Sequence, residues 1–311
     1  MPPSTAKPVL GISMGDPLGI GPEIILKSLP EFRARCEFKV FGDAKLLADL
    51  PQGELQAVSS GEFVPGDGLS AGKASIAYLD QAMNAWRAGN IEGLVTAPIS
   101  KAHVLKAGFP FPGHTEYLAA ATNCDRYQMM MVGPKLRVSL VTIHRPLAEV
   151  AGTLNSEMIF RAIEITYRSL VEWFGIAQPR VAVAGFNPHA GEAGHLGTEE
   201  IEIIAPAVVR ANEAGLLCSG PRVPDAVFHE AYRGDWDAVV CMYHDQGLIP
   251  FKMIHFESGV NVTLGLPLIR TSPDHGTAFD IAGQGRADSS SMKAAIGLCL
   301  EMVNHRRQAK V

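Results

Sequence analysis

Short apolar runs alternate with amphipathic stretches along nearly the whole chain. Val9–Met14 reads as a strand, and Pro22–Leu29 as a helix whose proline sits in the first turn, where a missing N–H costs nothing. Phe38–Phe41 is a second short strand, Ser75–Ala88 a helix, and Leu94–Thr96 a strand leading into a helix near Lys101. Thr115–Ala121 is helical, while Gln128–Val132 and Arg137–Thr142 read as paired strands. The clearest helix is Ser156–Phe174. Its Ile159, Ile163, Leu170 and Trp173 fall on one face, with Ser156 and Glu157 as the start signal. Val181–Ala184 and Ala238–Met242 are uninterrupted apolar runs of the kind covered on both faces of a sheet. A last helix spans roughly Ser290 to Asn304, and the glycine-rich Gly61–Gly72 reads as an exposed loop. The alternation predicts α/β layers with a largely parallel sheet.

Composition narrows the class. The 311 residues are 47% hydrophobic and 19% charged, as in ordinary globular proteins, and a chain this long buries a core without disulfides. The net charge of −5, with scattered Lys and Arg, excludes a nucleic-acid footprint. Any anion must therefore be held by a locally built pocket. Cys36, Cys124, Cys218, Cys241 and Cys299 are far apart and form no Cys-x-x-Cys pair, so reduced thiols are expected. Met1–Lys7 lacks the apolar run of a signal peptide, and no stretch reaches the roughly 18 apolar residues of a membrane span. A cytoplasmic protein without membrane partners is expected.

Glycine, proline, histidine and aspartate concentrate in five patches, most of them just after an apolar run, where ligands bind in open α/β sheets. Gly15-Asp16-Pro17-Leu18-Gly19-Ile20-Gly21-Pro22-Glu23 opens a helix as an anion loop would, although a plain tight turn explains it equally. Gly113-His114-Thr115-Glu116 precedes a helix whose N–H groups suit a phosphate, unless Thr115 simply caps it. Thr142-Ile143-His144-Arg145-Pro146 and Asn187-Pro188-His189-Ala190-Gly191-Glu192 each place a histidine after a strand, in a ligand's or a structural role. The densest patch, Met242–Asp280, holds Tyr243-His244-Asp245-Gln246-Gly247, Lys252, Asn261, Arg270 and Thr271–Ala278. Charges among apolar neighbours need partners, so Lys252 and Arg270 face an anion or belong to an ion-pair network. If His144, His189 and His244 converge, three imidazoles suit Zn²⁺ or a similar ion with an open position. His103, His195, His229, His255 and His305 lack comparable settings and read as surface or structural.

Taken in order, six motifs resemble the 4-hydroxythreonine-4-phosphate dehydrogenase family from about Leu10 to the final helix. They are Gly-Asp-Pro-x-Gly-Ile-Gly-Pro-Glu, Thr96-Ala97-Pro98-Ile99-Ser100-Lys101, Gly-His-Thr-Glu-Tyr-Leu, Asn-Pro-His-Ala-Gly-Glu, Met-Tyr-His-Asp-Gln-Gly and Asp-His-Gly-Thr-Ala. The resemblance implies an α/β fold like the isocitrate and isopropylmalate dehydrogenases, with two lobes and a cleft between them. The lobes would comprise residues 1–145 plus 265–311, and 146–264.

The resemblance also implies a homodimer whose active site takes residues from both subunits. Metal would fall to His144, His189 and His244, the last supplied by the other subunit. Substrate would fall to His114, Thr115, Lys252, Asn261 and Arg270. NAD or NADP would lie against Glu192, Asp274, His275, Gly276, Thr277 and Asp280, which accounts for the missing Rossmann fingerprint. Asp245 and Lys252 are the candidate catalytic groups. The implied reaction oxidises 4-phosphohydroxy-L-threonine to a 3-keto acid that decarboxylates to 3-amino-2-oxopropyl phosphate, with Zn²⁺, Co²⁺, Mn²⁺ or Mg²⁺ as metal. Relatives act on 4-phospho-D-erythronate, 4-phospho-D-threonate or a terephthalate dihydrodiol, and a metal-dependent phosphatase is a more distant reading.

Overall fold

The computed structural model describes residues 6–58 and 63–309. In chain order the strands are β1 (Val9–Ser13), β2 (Glu37–Gly42), β3 (Leu55–Ala57), β4 (Gly93–Thr96), β5 (Gln128–Val132) and β6 (Arg137–Leu140), then β7 (Val181–Ala184), β8 (Cys218–Arg222), β9 (Ala238–Cys241), β10 (Val260–Leu264) and β11 (Ile269–Pro273). The helices are α1 (Gly21–Ser28), α2 (Gly68–Arg87), α3 (Lys101–Lys106), α4 (His114–Ala121) and α5 (Leu147–Thr153), then α6 (Ser156–Glu172), α7 (Ala205–Glu213), α8 (Pro224–Arg233), α9 (His244–His255) and α10 (Ser290–Ala309). Among the described residues no helix is long and apolar enough to cross a membrane.

The chain divides into two compact units, residues 1–125 with 266–311, and residues 126–265. In the first unit the strand order is β3-β2-β1-β4-β11, and every pairing is parallel. Leu10, Ile12, Leu94 and Val95 on these strands are fully buried, as are Met83 of α2 and Ile296 of α10. This explains why the strands read as unbroken apolar runs rather than alternations. Because the strands are parallel, the loops after β1, β4 and β11 leave the same edge of the sheet, and three of the six motifs lie there.

The second unit orders its strands β10-β5-β6-β9-β7-β8, antiparallel across β10, β5 and β6 and parallel from β6 onward. Its core gathers Val138, Leu140, Ala182, Val239, Leu248 and Phe251. The β5–β6 hairpin, assigned from sequence to the first lobe, belongs here because its two strands pair with β10 and β9.

Two local expectations change. Gly61 and Glu62 lie outside the described residues, but Gly68–Gly72 is not loop: it forms the first turns of α2. Asp67 caps that helix, its carboxylate accepting from the N–H groups of Leu69 and Ser70. A Cβ on Gly72 would come within 2.1 Å of the His103 carbonyl oxygen, so the glycine is there for the close crossing of α2 and α3. At α6 the cap is Asn155, accepting from Met158 N at 3.0 Å, while the Ser156 hydroxyl donates instead to the Ile203 carbonyl.

Candidate active site

In the first unit, His114, Thr115 and Arg270 are groups suited to an anion. Gly113, in extended backbone, starts α4 without any side-chain cap, so Thr115 is a first-turn residue rather than the cap. Arg270 on β11 is 4% exposed and donates through Nη2 and Nε to the Thr96 hydroxyl on neighbouring β4, at 2.7 and 3.1 Å. Burial lowers its pKa to about 10, which leaves it charged at neutral pH. Burial first, and the Arg270 charge second, hold His114 well below its ordinary imidazole value. The ring is neutral, and its Nε2 is buried with no hydrogen-bond partner. A buried polar atom left unpaired is costly, and an oxygen of a phosphate or carboxylate beside Arg270 and the α4 N-terminus would satisfy it.

Beside this, the turn after β1 meets the loop after β11. Ile20 N donates to the Thr277 carbonyl at 2.9 Å, and a Cβ on Gly19 would lie 2.9 Å from that same oxygen. Gly15, at φ +75°, would put a Cβ 2.3 Å from the Pro98 carbonyl, so only glycine lets the motif close on the β4 loop. Glu23 bonds the N–H groups of Ala287 and Gly285, at 2.8 and 3.2 Å. These contacts fix both ends of the segment that holds Asp274, His275, Gly276, Thr277 and Asp280. His275 Nε2 is buried without a partner, and Gly276 faces open space. The loop therefore offers a donor or acceptor and unobstructed backbone to a nucleotide.

In the second unit the three strand-end histidines stand in distinct settings. The rings of His144 and His244 of one chain are 6.0 Å apart. His244 Nδ1 contacts Asp245 Oδ1 at 2.7 Å, and His189 Nδ1 contacts Glu192 Oε1 at 2.6 Å. The Glu192 hydrogen bond raises the His189 pKa. A carboxylate on Nδ1 fixes the tautomer and directs the Nε2 lone pair outward, the usual preparation of an imidazole for a metal. The donor set thus fits a borderline divalent ion in kind and tautomer. Among the described residues of a single chain, however, no three His, Cys, Asp or Glu side chains gather around one point.

His189 rides on an unusual backbone. His189, Ala190, Gly191, Glu192 and Ala193 run consecutively at φ 50, 54, 79, 42 and 56°, one turn of left-handed helix. For L residues this costs about 1–2 kcal/mol each and persists only where surroundings impose it. Of the other candidates in this unit, Asn261 on β10 has a buried, unpartnered Oδ1. Lys252 on α9 has its ammonium 5.9 Å from the Phe256 ring centre. Asp245 is exposed and its Oδ1 contacts His244, and Glu192 contacts His189.

The family model described as pyridoxal phosphate biosynthetic protein PdxA matches residues 34–299. The chain belongs to the PdxA family. A 4-hydroxythreonine-4-phosphate dehydrogenase of Desulforapulum autotrophicum is 48% identical over 93% of this chain and 94% of its own length. The crystal structure of the Klebsiella pneumoniae 4-hydroxythreonine-4-phosphate dehydrogenase is 39% identical, with a TM-score of 0.85 over 96% of this chain and 100% of that one. A terephthalate 1,2-cis-dihydrodiol dehydrogenase of Burkholderia xenovorans is 30% identical, with a TM-score of 0.71 over 95% and 98%. An isocitrate dehydrogenase of Methylococcus capsulatus, 14% identical at a TM-score of 0.57, shares the fold alone.

Three polar residues of this PdxA-family chain carry more than the sequence reading gave them. His103, expected to be structural, pairs its Nδ1 with buried Asp16 at 2.8 Å and lies against Phe279 of the loop after β11, ring centres 5.2 Å apart. Glu200 and Gln246 are buried beside the histidine-bearing loops. Only Gln246 stood inside a motif, and buried polar side chains far apart in sequence leave no local pattern to read. A separate cavity of about 510 Å³, lined by Asp80, Asn84, Arg87, Phe111 and Tyr117 among others, is internally satisfied. Tyr117 bonds Asp80, and Arg87 bonds Asn84 and the Ala121 carbonyl.

Proposed function

We propose that the chain is an NAD(P)- and divalent-metal-dependent dehydrogenase. It oxidises 4-phosphohydroxy-L-threonine to a 3-keto acid, which decarboxylates to 3-amino-2-oxopropyl phosphate. Family membership supports this reading, and the observation that carries it is the pair of half-buried, neutral His114, whose buried Nε2 has no partner, and buried, charged Arg270. A neutral imidazole donates a single N–H, so the fixed charge of Arg270 supplies the attraction while His114 and Thr115 orient the anion.

His144, His189 and His244 would hold the metal, which supplies Lewis acidity at the hydroxyl being oxidised and at the carbonyl it becomes. Lys252 neutralises phosphate or carboxylate charge, and Asn261 Oδ1 accepts from a substrate hydroxyl or ammonium. Asp245 accepts the hydroxyl proton at its second carboxylate oxygen. The hydride acceptor is NAD or NADP, oriented by the Asp274–Asp280 loop.

The enzyme works as a cytoplasmic homodimer, with His244 supplied by the partner subunit. Ile249 and Met253 on helix α9, which His244 opens, and Phe256 just past its end are exposed by 66, 83 and 74%, an apolar surface of the kind a subunit interface covers.

The test is NADH formation by metal-loaded protein with 4-phosphohydroxy-L-threonine, beside 4-phospho-D-erythronate, 4-phospho-D-threonate and a terephthalate dihydrodiol. Chelator-sensitive turnover of the first alone is expected. Turnover of another compound keeps the chemistry and replaces the substrate, while phosphate release without NAD would make the protein a phosphatase. His189→Ala should remove activity without unfolding the protein, since the side chain is exposed.

A further inference from the structure

The left-handed turn that carries His189 has an identifiable restraint. Glu200 is 2% exposed. Its Oε1 accepts from the backbone N–H groups of Phe186 and Asn187, both at 2.7 Å, and its Oε2 accepts from Asn187 Nδ2 at 2.9 Å. The turn also closes over this carboxylate, since a Cβ on Gly191 would come within 2.7 Å of Oε2. A buried carboxylate is costly unless its oxygens are filled, and here the loop itself fills them. Shifting residues 186–187 strips hydrogen bonds from a buried charge, so the entry to the left-handed turn is anchored there. The strain of five consecutive left-handed residues is thereby held in place.

The restraint extends to the other histidine segments. Gln246, 8% exposed, accepts from Met242 N at 2.7 Å and donates to the Gly185 carbonyl at 2.6 Å. It thus joins the end of β9, just before His244, to the end of β7, where the His189 loop begins. The Thr142 hydroxyl donates to the Met242 carbonyl at 2.8 Å and ties in the segment that leads to His144.

We propose that Glu200 is the positioning residue for His189, holding its turn in the left-handed form that aims the imidazole. This rests on the metal reading of the three histidines. Glu200 touches no reacting atom and acts through the loop. Its closest parallel is a group behind a metal ligand, whose loss costs about 10–100-fold in metal affinity.

The test uses full-length protein and Co²⁺ as probe. Affinity is measured by chelator competition, geometry by the visible ligand-field spectrum, and folding by thermal melts without metal. Wild type should bind cobalt with a spectrum that His189→Ala abolishes. Glu200→Gln keeps the size but turns an N–H donor toward the Asn187 amide. It should bind cobalt at least tenfold more weakly with an altered spectrum, and need correspondingly more metal to reach half its maximal rate. Wild-type affinity and spectrum in folded Glu200→Gln would refute the positioning role while leaving the metal site standing. If wild type binds no cobalt through His189, the metal reading itself fails. Should Glu200→Gln not fold, Asn187→Ala decides: it removes the Nδ2 bonds to Glu200 Oε2 and Glu199 Oε2, at 2.9 and 2.6 Å, and undiminished cobalt affinity there overturns the proposal.

Discussion

Thr96 Oγ1 is the shared acceptor for two N–H groups of Arg270, and both residues are buried on adjacent parallel strands. Thr96→Val keeps the shape and removes the acceptor. Hydrogen bonds to charged groups contribute about 1.5–3 kcal/mol, so a loss in that range is expected in urea unfolding. Because the guanidinium also loses its aim, KM for the phosphorylated substrate should rise more than kcat falls.

His114 should behave as a neutral imidazole throughout the physiological range. In the unfolded chain it takes up a proton near its ordinary value of 6.5, whereas the folded protein resists doing so to well below that. Its contribution to stability is therefore unchanged above about 6.5 and is progressively lost as pH falls beneath it. Nuclear magnetic resonance of the ring protons should show no titration at neutral pH. Bound phosphate should move that titration upward, toward neutrality.

Glu23 ties α1 to the segment around Gly285–Ala287 that follows the loop after β11. Burial pushes its carboxyl upward, but hydrogen bonds from Lys27 and from the Ala287 and Gly285 N–H groups outweigh this, and the net pKa is lowered. The anchoring is fully present above the ordinary 4.5 and is lost as pH falls through the lower folded value. Glu23→Gln should speed hydrogen exchange at the Ala287 amide and raise KM for the nicotinamide cofactor, leaving cobalt affinity unchanged.

Charging the exposed face of α9 addresses the proposed dimer. Met253→Asp, at an 83% exposed position, should leave the melting temperature of the single chain nearly unchanged. Sedimentation should then find one chain where wild type gives two, and activity should disappear with the dimer. A variant that still sediments as two chains would place the interface elsewhere.

Most strands and the long helices were legible because their apolar periods are set by burial: β7 and β9 are buried at every position, and α6 turns one face inward. Helix α9 was not, because Gly247 and Pro250 interrupt its pattern. Gly247 is demanded by contact with Leu140 and Cys241, which a Cβ would approach to 2.9 and 3.0 Å. Strand β8 lies at the edge of its unit's sheet, half-buried throughout and containing Gly220-Pro221, so it carries no apolar run. At the candidate site, residue types and order were readable, including His114, Asn261 and His275, whose buried unpartnered atoms the structure then exhibits. The left-handed turn was not readable: Ala190, Glu192 and Ala193 are poor residues for positive φ, and the buried carboxylate proposed to hold the turn stands some ten positions further on.

The second unit begins and ends at one point. Arg126 and Gly265 are its first and last residues, and a Cβ on Gly265 would lie 2.3 Å from the Arg126 carbonyl oxygen. Gln128 pairs directly with Leu264 just inside them. The unit is therefore an insertion whose two ends meet. Once it has folded, the two halves of the first unit are no longer separated by a long loop but tethered as if by a few residues. The entropy of bringing them together is then small. Assembly in the opposite order would close the whole insertion as unstructured chain, so where that segment starts and stops lowers the entropic cost of folding the inner segment before the outer.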